Sequence, residues 1–201
     1  ISMSQPALRE ALRLAEAGEA EKANTILASY LRVMPQDCFA LRLFGELAAR
    51  RGRFLEAGAI LQRAADLAPG LLDARDSLIA HKIQFGDYDG AVADSFELIA
   101  KYPGQHDLLG QHGQILASSF RFDEAASVFA AHFRQSRGTS AQWVSYGEVL
   151  RALGKSEEAV HACATAAVRD PSNGVAWYRL AEVSQGRLDA DQAAQLQAHC
   201  N

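Results

Sequence analysis

The stretch WVSYGEVLRALGKSEEAVHACATAAVRDP, residues 143–171, decides the fold of this chain. It contains two segments, which are separated at Gly154 and closed by Pro171. In both segments apolar or small side chains recur at intervals of three and four residues, which predicts two amphipathic helices. Glycine accepts the left-handed backbone at a helix end and proline cannot continue a helix, so both residues act as stops. The stretch therefore predicts a helical hairpin.

The hairpin pattern repeats along the chain every 34 residues, as the alanine spacing shows (57 − 23 = 34). The alanines in this phase are Ala23, Ala57, Ala91, Ala125, Ala159 and Ala193. The prolines that share a second phase are Pro35, Pro69, Pro103 and Pro171, and the glycines that share a third are Gly18, Gly52, Gly86 and Gly154. A fixed period of this length is typical of a solenoid, whose units bury their apolar faces by stacking on their neighbours.

These phases resemble the tetratricopeptide repeat, in which W-x2-L-G-x2-Y is followed by A-x3-F and then by P. The best-matching residues are Trp143, Tyr146, Gly147, Leu150, Ala159, Cys163 and Pro171. The resemblance covers essentially the whole chain and implies an all-α fold, an α-α superhelix of stacked antiparallel helix pairs. The expected units of this single solenoid, residues 1–201, are 4–37, 38–71, 72–105, 106–139, 140–173 and the partial 174–201.

Some positions depart from the repeat pattern. Phe120 stands where the fourth unit should have its turn glycine, and Leu188 stands there in the last unit. Arg137 and Gly138 replace the proline that should close the fourth unit, so residues 135–140 form a longer loop, a small hinge or an ordinary variant turn. We expect the variant turn.

Composition and charge exclude several classes of protein. The chain has 201 residues, of which 49% are hydrophobic and 22% are charged, and its net charge is −4. This acidic balance argues against a nucleic-acid surface, and the strict 34-residue period argues against RNA-reading helical repeats. No run of about 18 apolar residues predicts a membrane span. Arg9 and Glu10 interrupt the apolar N-terminal segment, so we expect no signal-peptide core in it and a cytoplasmic protein.

One short motif imitates a nucleotide site. Gly154, Lys155 and Ser156 resemble the end of a phosphate-binding loop, with Gly147 upstream. Such a loop needs four residues between its glycines and must follow a strand, whereas here six residues intervene inside a helical pattern. Gly154 also keeps the turn phase of the repeat. We therefore predict no cofactor site, and no set of residues elsewhere predicts a catalytic site.

The cysteines and histidines do not predict a metal site. Cys38 and Cys163 lie in different repeats, and Cys200 stands next to the end of the sequence given. His161 and Cys163 are two residues apart and so point to different sides of a helix, and His199 has no second pair of ligands nearby. We expect free thiols and no metal.

The resemblance implies how such a chain is used. Tetratricopeptide repeats form a right-handed superhelix whose first helices line a concave groove, and this groove holds peptides or partner proteins. The residues expected in it are Arg42, Glu46, Asp76, Gln114, Val144, Glu148, Arg151, Tyr178 and Glu182. The resemblance thus implies a non-catalytic scaffold or adaptor whose partner is a protein or a peptide.

Charge is distributed unevenly among these residues. Arg42 and Arg50 lie toward one end of the array, and Glu148 and Glu182 lie toward the other, which favours a ligand of opposite polarity. Ordinary solvated charges explain the same pattern, and the sequence leaves both explanations open. A subset of the family binds the carboxylate of chaperone tails through lysine, asparagine and arginine in consecutive repeats, and this chain, with Asp76 in such a position, does not match.

The last residues support a second interpretation. Residues 171–182 and 188–193 resemble the last repeat of bacterial proteins that join tetratricopeptide repeats to a sulfotransferase domain. In that case the chain is a substrate-presenting N-terminal arm of a sulfotransferase whose catalytic domain lies outside these residues. Residues 189–201 keep apolar side chains such as Leu196 at helical spacing, so we expect this last helix either to cap the array or to dock onto a C-terminal domain or a second copy.

Overall fold

A computed structural model of the protein describes residues 6–186. In this range the chain forms helices joined by short turns, with no strand. The helices are α1 (Pro6–Glu16), α2 (Ala20–Val33), α3 (Cys38–Arg50), α4 (Phe54–Leu67), α5 (Leu72–Phe85), α6 (Tyr88–Lys101), α7 (His106–Ser118), α8 (Phe122–Gln135), α9 (Ser140–Ala152), α10 (Ser156–Arg169) and α11 (Gly174–Val183). The predicted all-α solenoid of helix pairs is confirmed.

The 34-residue period reappears in the helix boundaries. The first helices of consecutive pairs begin at Cys38, Leu72, His106, Ser140 and Gly174, and the second helices begin at Ala20, Phe54, Tyr88, Phe122 and Ser156. Both series advance in steps of 34 residues (72 − 38 = 34 and 54 − 20 = 34). The sequence pattern and the helices therefore share one register.

Two compact units make up the chain, residues 1–94 and residues 95–201. In the first unit α1 packs on α2 and α3 packs on α4, while α2 contacts α3 and α4 contacts α5. In the second unit α7 packs on α8 and α9 on α10, while α8 contacts α9 and α10 contacts α11. First helices of successive pairs also lie side by side, α3 next to α5 in one unit and α9 between α7 and α11 in the other.

Small residues allow the two helices of a pair to approach closely. A Cβ atom on Gly45 would lie 2.8 Å from Leu61 Cγ, and one on Gly113 would lie 2.9 Å from Phe129. The repeating alanines lie at the same crossings, and those fully buried are Ala23, Ala57, Ala91, Ala125 and Ala159. Their predicted role in packing is confirmed, and Ala193 lies outside the described residues.

The turns between paired helices use the left-handed backbone, as the sequence predicts. The φ angles of Gly18, Gly52, Gly86 and Gly154 lie between 74° and 85°. Phe120 takes the same position in the fourth pair with a φ of 59°. After α11 the left-handed residues are Gln185 and Gly186, two to three positions before Leu188, which lies outside the described residues.

The segment between α8 and α9 is an ordinary variant turn. Helix α8 ends at Gln135, and α9 begins at Ser140 in register with the other first helices. The Thr139 hydroxyl accepts a hydrogen bond from the Gln142 backbone N–H, and the Gln142 side chain accepts one from the Thr139 N–H. This capping box replaces the missing proline as the signal that starts the next helix. The apolar helix expected over residues 189–201 lies outside the described range.

Candidate functional site on the first helices

A polar contact recurs between neighbouring first helices, at α3 and α5, at α7 and α9, and at α9 and α11. The contacts are Ser77 Oγ to Glu46 Oε1 at 2.6 Å, Gln114 Nε2 to Ser145 Oγ at 3.4 Å, and Arg179 Nε to Glu148 Oε1 at 2.6 Å. Each joins residues 31 positions apart (179 − 148 = 31 for the last), so the same two faces meet each time. Three expected groove residues, Glu46, Gln114 and Glu148, therefore already connect one repeat to the next.

In the first unit this face lies on α3 and α5. Arg42 Nη1 donates to Glu46 Oε1 at 2.8 Å, and both side chains are about two-thirds buried. Burial raises the pKa of the Asp76 carboxyl above its ordinary value, and the nearby Asp73 carboxylate adds to the effect. The structure brings Arg42 and Glu46 together as a pair and leaves Asp76 partly buried on the adjacent helix.

A cavity of about 250 Å³ opens on this face between α3 and α5. The polar side chains around it are Glu46, Arg50, Ser77, His81 and Gln84. His81 is only 7% exposed, and its Nδ1 atom is buried without a hydrogen-bond partner in the described part of the chain. Arg50 is exposed and forms no ion pair with any described residue. The cavity is therefore lined by a buried histidine and by a guanidinium without an ion-pair partner among the described residues.

Sequence reasoning missed His81, although the repeat contains a signal for it. The residues in this phase in the second, fourth and fifth repeats are Leu47, Ile115 and Val149, which are buried and apolar, whereas the first repeat has the exposed Arg13. A histidine in a phase that three of the repeats fill with a buried apolar residue departs from the repeat pattern, and this departure is the signal. His81 stacks on Phe85 with the ring centroids 6.2 Å apart, which holds the imidazole in place.

In the second unit the same face lies on α7, α9 and α11. Arg179 connects two of the expected residues, because its Nη1 donates to Glu182 at 2.8 Å and its Nε faces Glu148. Tyr178 is 65% exposed, and the Arg179 guanidinium carbon lies 5.5 Å from the centre of its ring. Arg151 is exposed on α9. This face therefore presents the exposed ring of Tyr178 next to the ion pairs that Arg179 forms.

Val144 does not present a free surface, contrary to the groove expectation. It is 7% exposed and belongs to a buried cluster with Cys163, Ala176 and Trp177. The register placed it beside Glu148, but α11 packs against α9 closely enough to cover a short apolar side chain. Val144 is therefore buried between helices and is not available to contact a partner.

Side-chain pairing reduces the difference in charge that was expected between the two ends of the array, and it does not remove that difference. Arg42 is neutralised by Glu46, and the two carboxylates of Glu148 and Glu182 share Arg179. Partly exposed pairs of this kind contribute little to a long-range field, and salt screens them. Some arginines of this face are expected groove residues or line the cavity. Of these, Arg50 and Arg151 form no ion pair with a described residue.

Residues 6–186 contain neither a candidate metal site nor a candidate membrane span. Within that range no group of three or more histidine, cysteine, aspartate or glutamate side chains is placed to hold a metal ion. No helix in the described range is long and apolar enough to cross a membrane. Cys163 is buried, and its burial, reinforced by the Glu148 carboxylate, raises the pKa of its thiol to about 11. His199 and Cys200 lie outside the described residues.

Comparison with known proteins gives the fold a name. No protein-family model and no curated protein matches the sequence. The solved structures that match include YrrB, a TPR protein with an unusual peptide-binding site, at 20% identity and a TM-score of 0.63, over 86% of this chain and 89% of that one. The chain has the tetratricopeptide-repeat fold.

Two further structures with this tetratricopeptide fold match over similar lengths. TTC0263, a TPR protein from Thermus thermophilus, is 19% identical with a TM-score of 0.69, over 89% of this chain and 97% of that one. MamA from Desulfovibrio magneticus RS-1 is 14% identical with a TM-score of 0.68, over 84% of this chain and 95% of that one. At these identities the likeness establishes the tetratricopeptide fold and nothing more specific.

Proposed function

We propose that this chain is a non-catalytic interaction module that binds a peptide, or an extended segment of a partner protein, on the face of its first helices. The observation that carries the proposal is the cavity between α3 and α5 on that face, which is lined by the exposed and unpaired Arg50 and by the buried His81. The His81 Nδ1 atom is buried without a hydrogen-bond partner within the described residues, which costs stability, so packing alone does not explain a histidine at this position. The description of YrrB as a peptide-binding TPR protein agrees with this use of the fold.

The cavity defines what the bound segment must supply. It needs an acceptor, a carboxylate or a carbonyl oxygen, for the unpaired Arg50 guanidinium, and a group that packs against the His81 side chain. Ser77 and Glu46 are already bonded to each other across the two helices. They hold α3 and α5 at a fixed distance, so the cavity is formed before the ligand arrives.

The test exchanges His81 for the residue that the preceding repeat has in the same phase. His81→Leu removes the unsatisfied nitrogen, so we expect the free energy of unfolding to stay equal or rise. Peptides selected from a random phage-displayed library on the intact protein should bind His81→Leu and Arg50→Gln about tenfold more weakly. Arg32→Gln is the matched control, because Arg32 is exposed on α2 and forms no ion pair in the described range. Failure to select any peptide, or an equal loss in the control, would overturn the proposal.

The alternative is a substrate-presenting arm of a sulfotransferase. It rests on the resemblance of residues 171–182 and 188–193, of which only the first part is described. There Trp177 is 3% exposed and donates to the Pro171 carbonyl at 2.9 Å, a packing role that either function permits. No described residue favours this alternative over the interaction module. A cytoplasmic location and docking through residues 189–201 likewise stay predictions from the sequence.

A further inference from the structure

A second cavity lies in the unit of residues 95–201, on a different face of α9 from the candidate groove residues. Its volume is about 490 Å³, and α8, α9 and α10 enclose it. The side chains that decide its chemistry are Phe133, Trp143, Tyr146, Glu157 and Glu158. Aromatic rings form the base of this pocket, and carboxylates stand at its rim.

The aromatic rings at the base pack against one another. Phe133 stacks on Trp143 with the ring centroids 3.8 Å apart, and Tyr146 packs against Phe133 at 5.5 Å. The Trp143 indole N–H donates to the Arg137 carbonyl at 2.9 Å, which fixes the orientation of the ring. The guanidinium carbon of Arg169 lies 5.9 Å from the centre of the Trp143 ring, so this cluster already holds one cation of its own chain.

The carboxylates at the rim have no cation of their own among the described residues. Glu157 and Glu158 are exposed in the first turn of α10, and neither forms an ion pair with a described residue. Glu158 lies near the Tyr146 phenol, whose pKa is raised by burial and, second, by that carboxylate. Arg134 also lines the cavity, so the three charged groups together carry −1.

An apolar wall with negative charge at its mouth matches one kind of side chain. Lysine and arginine have an apolar stem and a cationic end, and they bury the stem along apolar surface while the charge stays near water. A wholly apolar side chain would leave the carboxylates unused, and an acidic one would be repelled by them. We propose that this pocket takes a lysine or arginine side chain of a partner protein, with the stem against Trp143 and Tyr146 and the charge on Glu157 and Glu158.

This site is separate from the peptide face proposed above, and either proposal can fail alone. Helix α9 turns Trp143, Tyr146 and Leu150 toward the pocket, whereas Glu148 and Arg151 lie on another side of the helix. A partner bound along the first helices therefore leaves the pocket open. The two sites together would allow the module to bind two segments at once.

The two tryptophans of the chain provide the readout. Trp143 lines the pocket, whereas Trp177 is 3% exposed and serves as an internal reference. Blocked glycine pentapeptides with arginine, lysine or norleucine at the centre are titrated into the labelled protein, and the two indole N–H resonances are followed by NMR. We expect arginine or lysine to shift the Trp143 resonance saturably, while norleucine binds about fivefold more weakly and Trp177 does not move.

A matched pair of double variants separates a built site from general attraction of basic peptides. Glu157→Gln with Glu158→Gln should weaken binding about fivefold. Asp123→Asn with Glu124→Gln removes the same charge at the same phase one repeat earlier (157 − 34 = 123), where α8 begins, and should leave the affinity unchanged. Arg50→Gln should also leave it unchanged. An unmoved Trp143 resonance, equal binding of norleucine, or an equal loss in the Asp123 and Glu124 control would each overturn the assignment.

Discussion

Gly147 and Cys163 set the distance between α9 and α10, because a Cβ atom on Gly147 would lie 2.5 Å from the Cys163 sulfur. Alanine is the better helix former by about 1 kcal/mol, but overpacking a buried contact costs about 1–3 kcal/mol. We therefore expect Gly147→Ala to lower the free energy of unfolding by about 1–2 kcal/mol. Chemical denaturation followed by far-UV circular dichroism measures this.

A control and a compensating change make the Gly147 prediction specific. Gly174 stands at the start of α11 with open space around its Cα, so Gly174→Ala should be neutral or stabilising. Cys163→Ala removes the sulfur that the new methyl group would meet, and in that background Gly147→Ala should cost less. If Gly147→Ala stabilises the protein in both backgrounds, the close approach of the two helices is wrong.

The sequence predicts the helix pairs well because the determinants of each pair lie within one repeat. Glycine and proline stops and the buried alanine phase are local signals, and they place the starts of α3 and α9 in the register that is observed. The covering of Val144 could not be predicted in this way, because it depends on how closely α11 approaches α9. Contacts between repeats depend on how the stacked repeats curve, and the sequence of a single repeat does not specify that curvature.

The same limit applies to charge. Arg42 and Glu148 are visible in the sequence as charged residues on one helix face, but whether they are free depends on partners elsewhere. Arg42 finds Glu46 one turn away, whereas Glu148 finds Arg179, which lies 31 positions away (179 − 148 = 31) in the next repeat. A sequence pattern names candidates for a binding face, and the side-chain pairing decides which of them are available.

Phe120 occupies a turn position that four other repeats give to glycine. Its φ of 59° is in the left-handed region, where a residue with a Cβ atom is disfavoured by about 1–2 kcal/mol. Glycine removes this cost but loses more backbone entropy on folding, by about 0.4–1 kcal/mol. We expect Phe120→Gly to raise the free energy of unfolding by about 0.5–1 kcal/mol, measured by denaturant titration.

The reverse exchange tests the Phe120 argument. Gly154 has a φ of 74° in the same phase of the next repeat, and nothing lies within 4 Å of the position that its Cβ would take. Gly154→Phe should therefore destabilise the protein by about 0.5–1 kcal/mol, because the αL cost is again partly offset by the lower backbone entropy of the unfolded chain. Phe120 packs edge-on against Phe122 with the centroids 6.0 Å apart. A loss of stability in Phe120→Gly would mean that this ring contact outweighs the backbone strain.

The Cys163 thiol makes the stability of the protein depend on pH in the alkaline range. Its burial raises the pKa of the thiol from 9.0 to about 11 in the folded protein. Between these values the unfolded chain loses the thiol proton while the folded chain keeps it, so unfolding releases a proton. The contribution of this thiol is therefore fully present below about pH 9 and is lost as the pH rises to about 11.

Comparison with Cys163→Ala isolates this contribution, because tyrosine and lysine residues titrate in the same range in both proteins. We expect the free energy of unfolding of the unchanged protein to fall more between about pH 8 and about pH 10 than that of Cys163→Ala. Alkylation with iodoacetamide gives a second readout of thiol burial. The half-buried Cys38 should react in the folded protein, whereas the buried Cys163 should react only when the helices around it open. Parallel pH profiles of the two proteins would show that the thiol is not buried between α9 and α11.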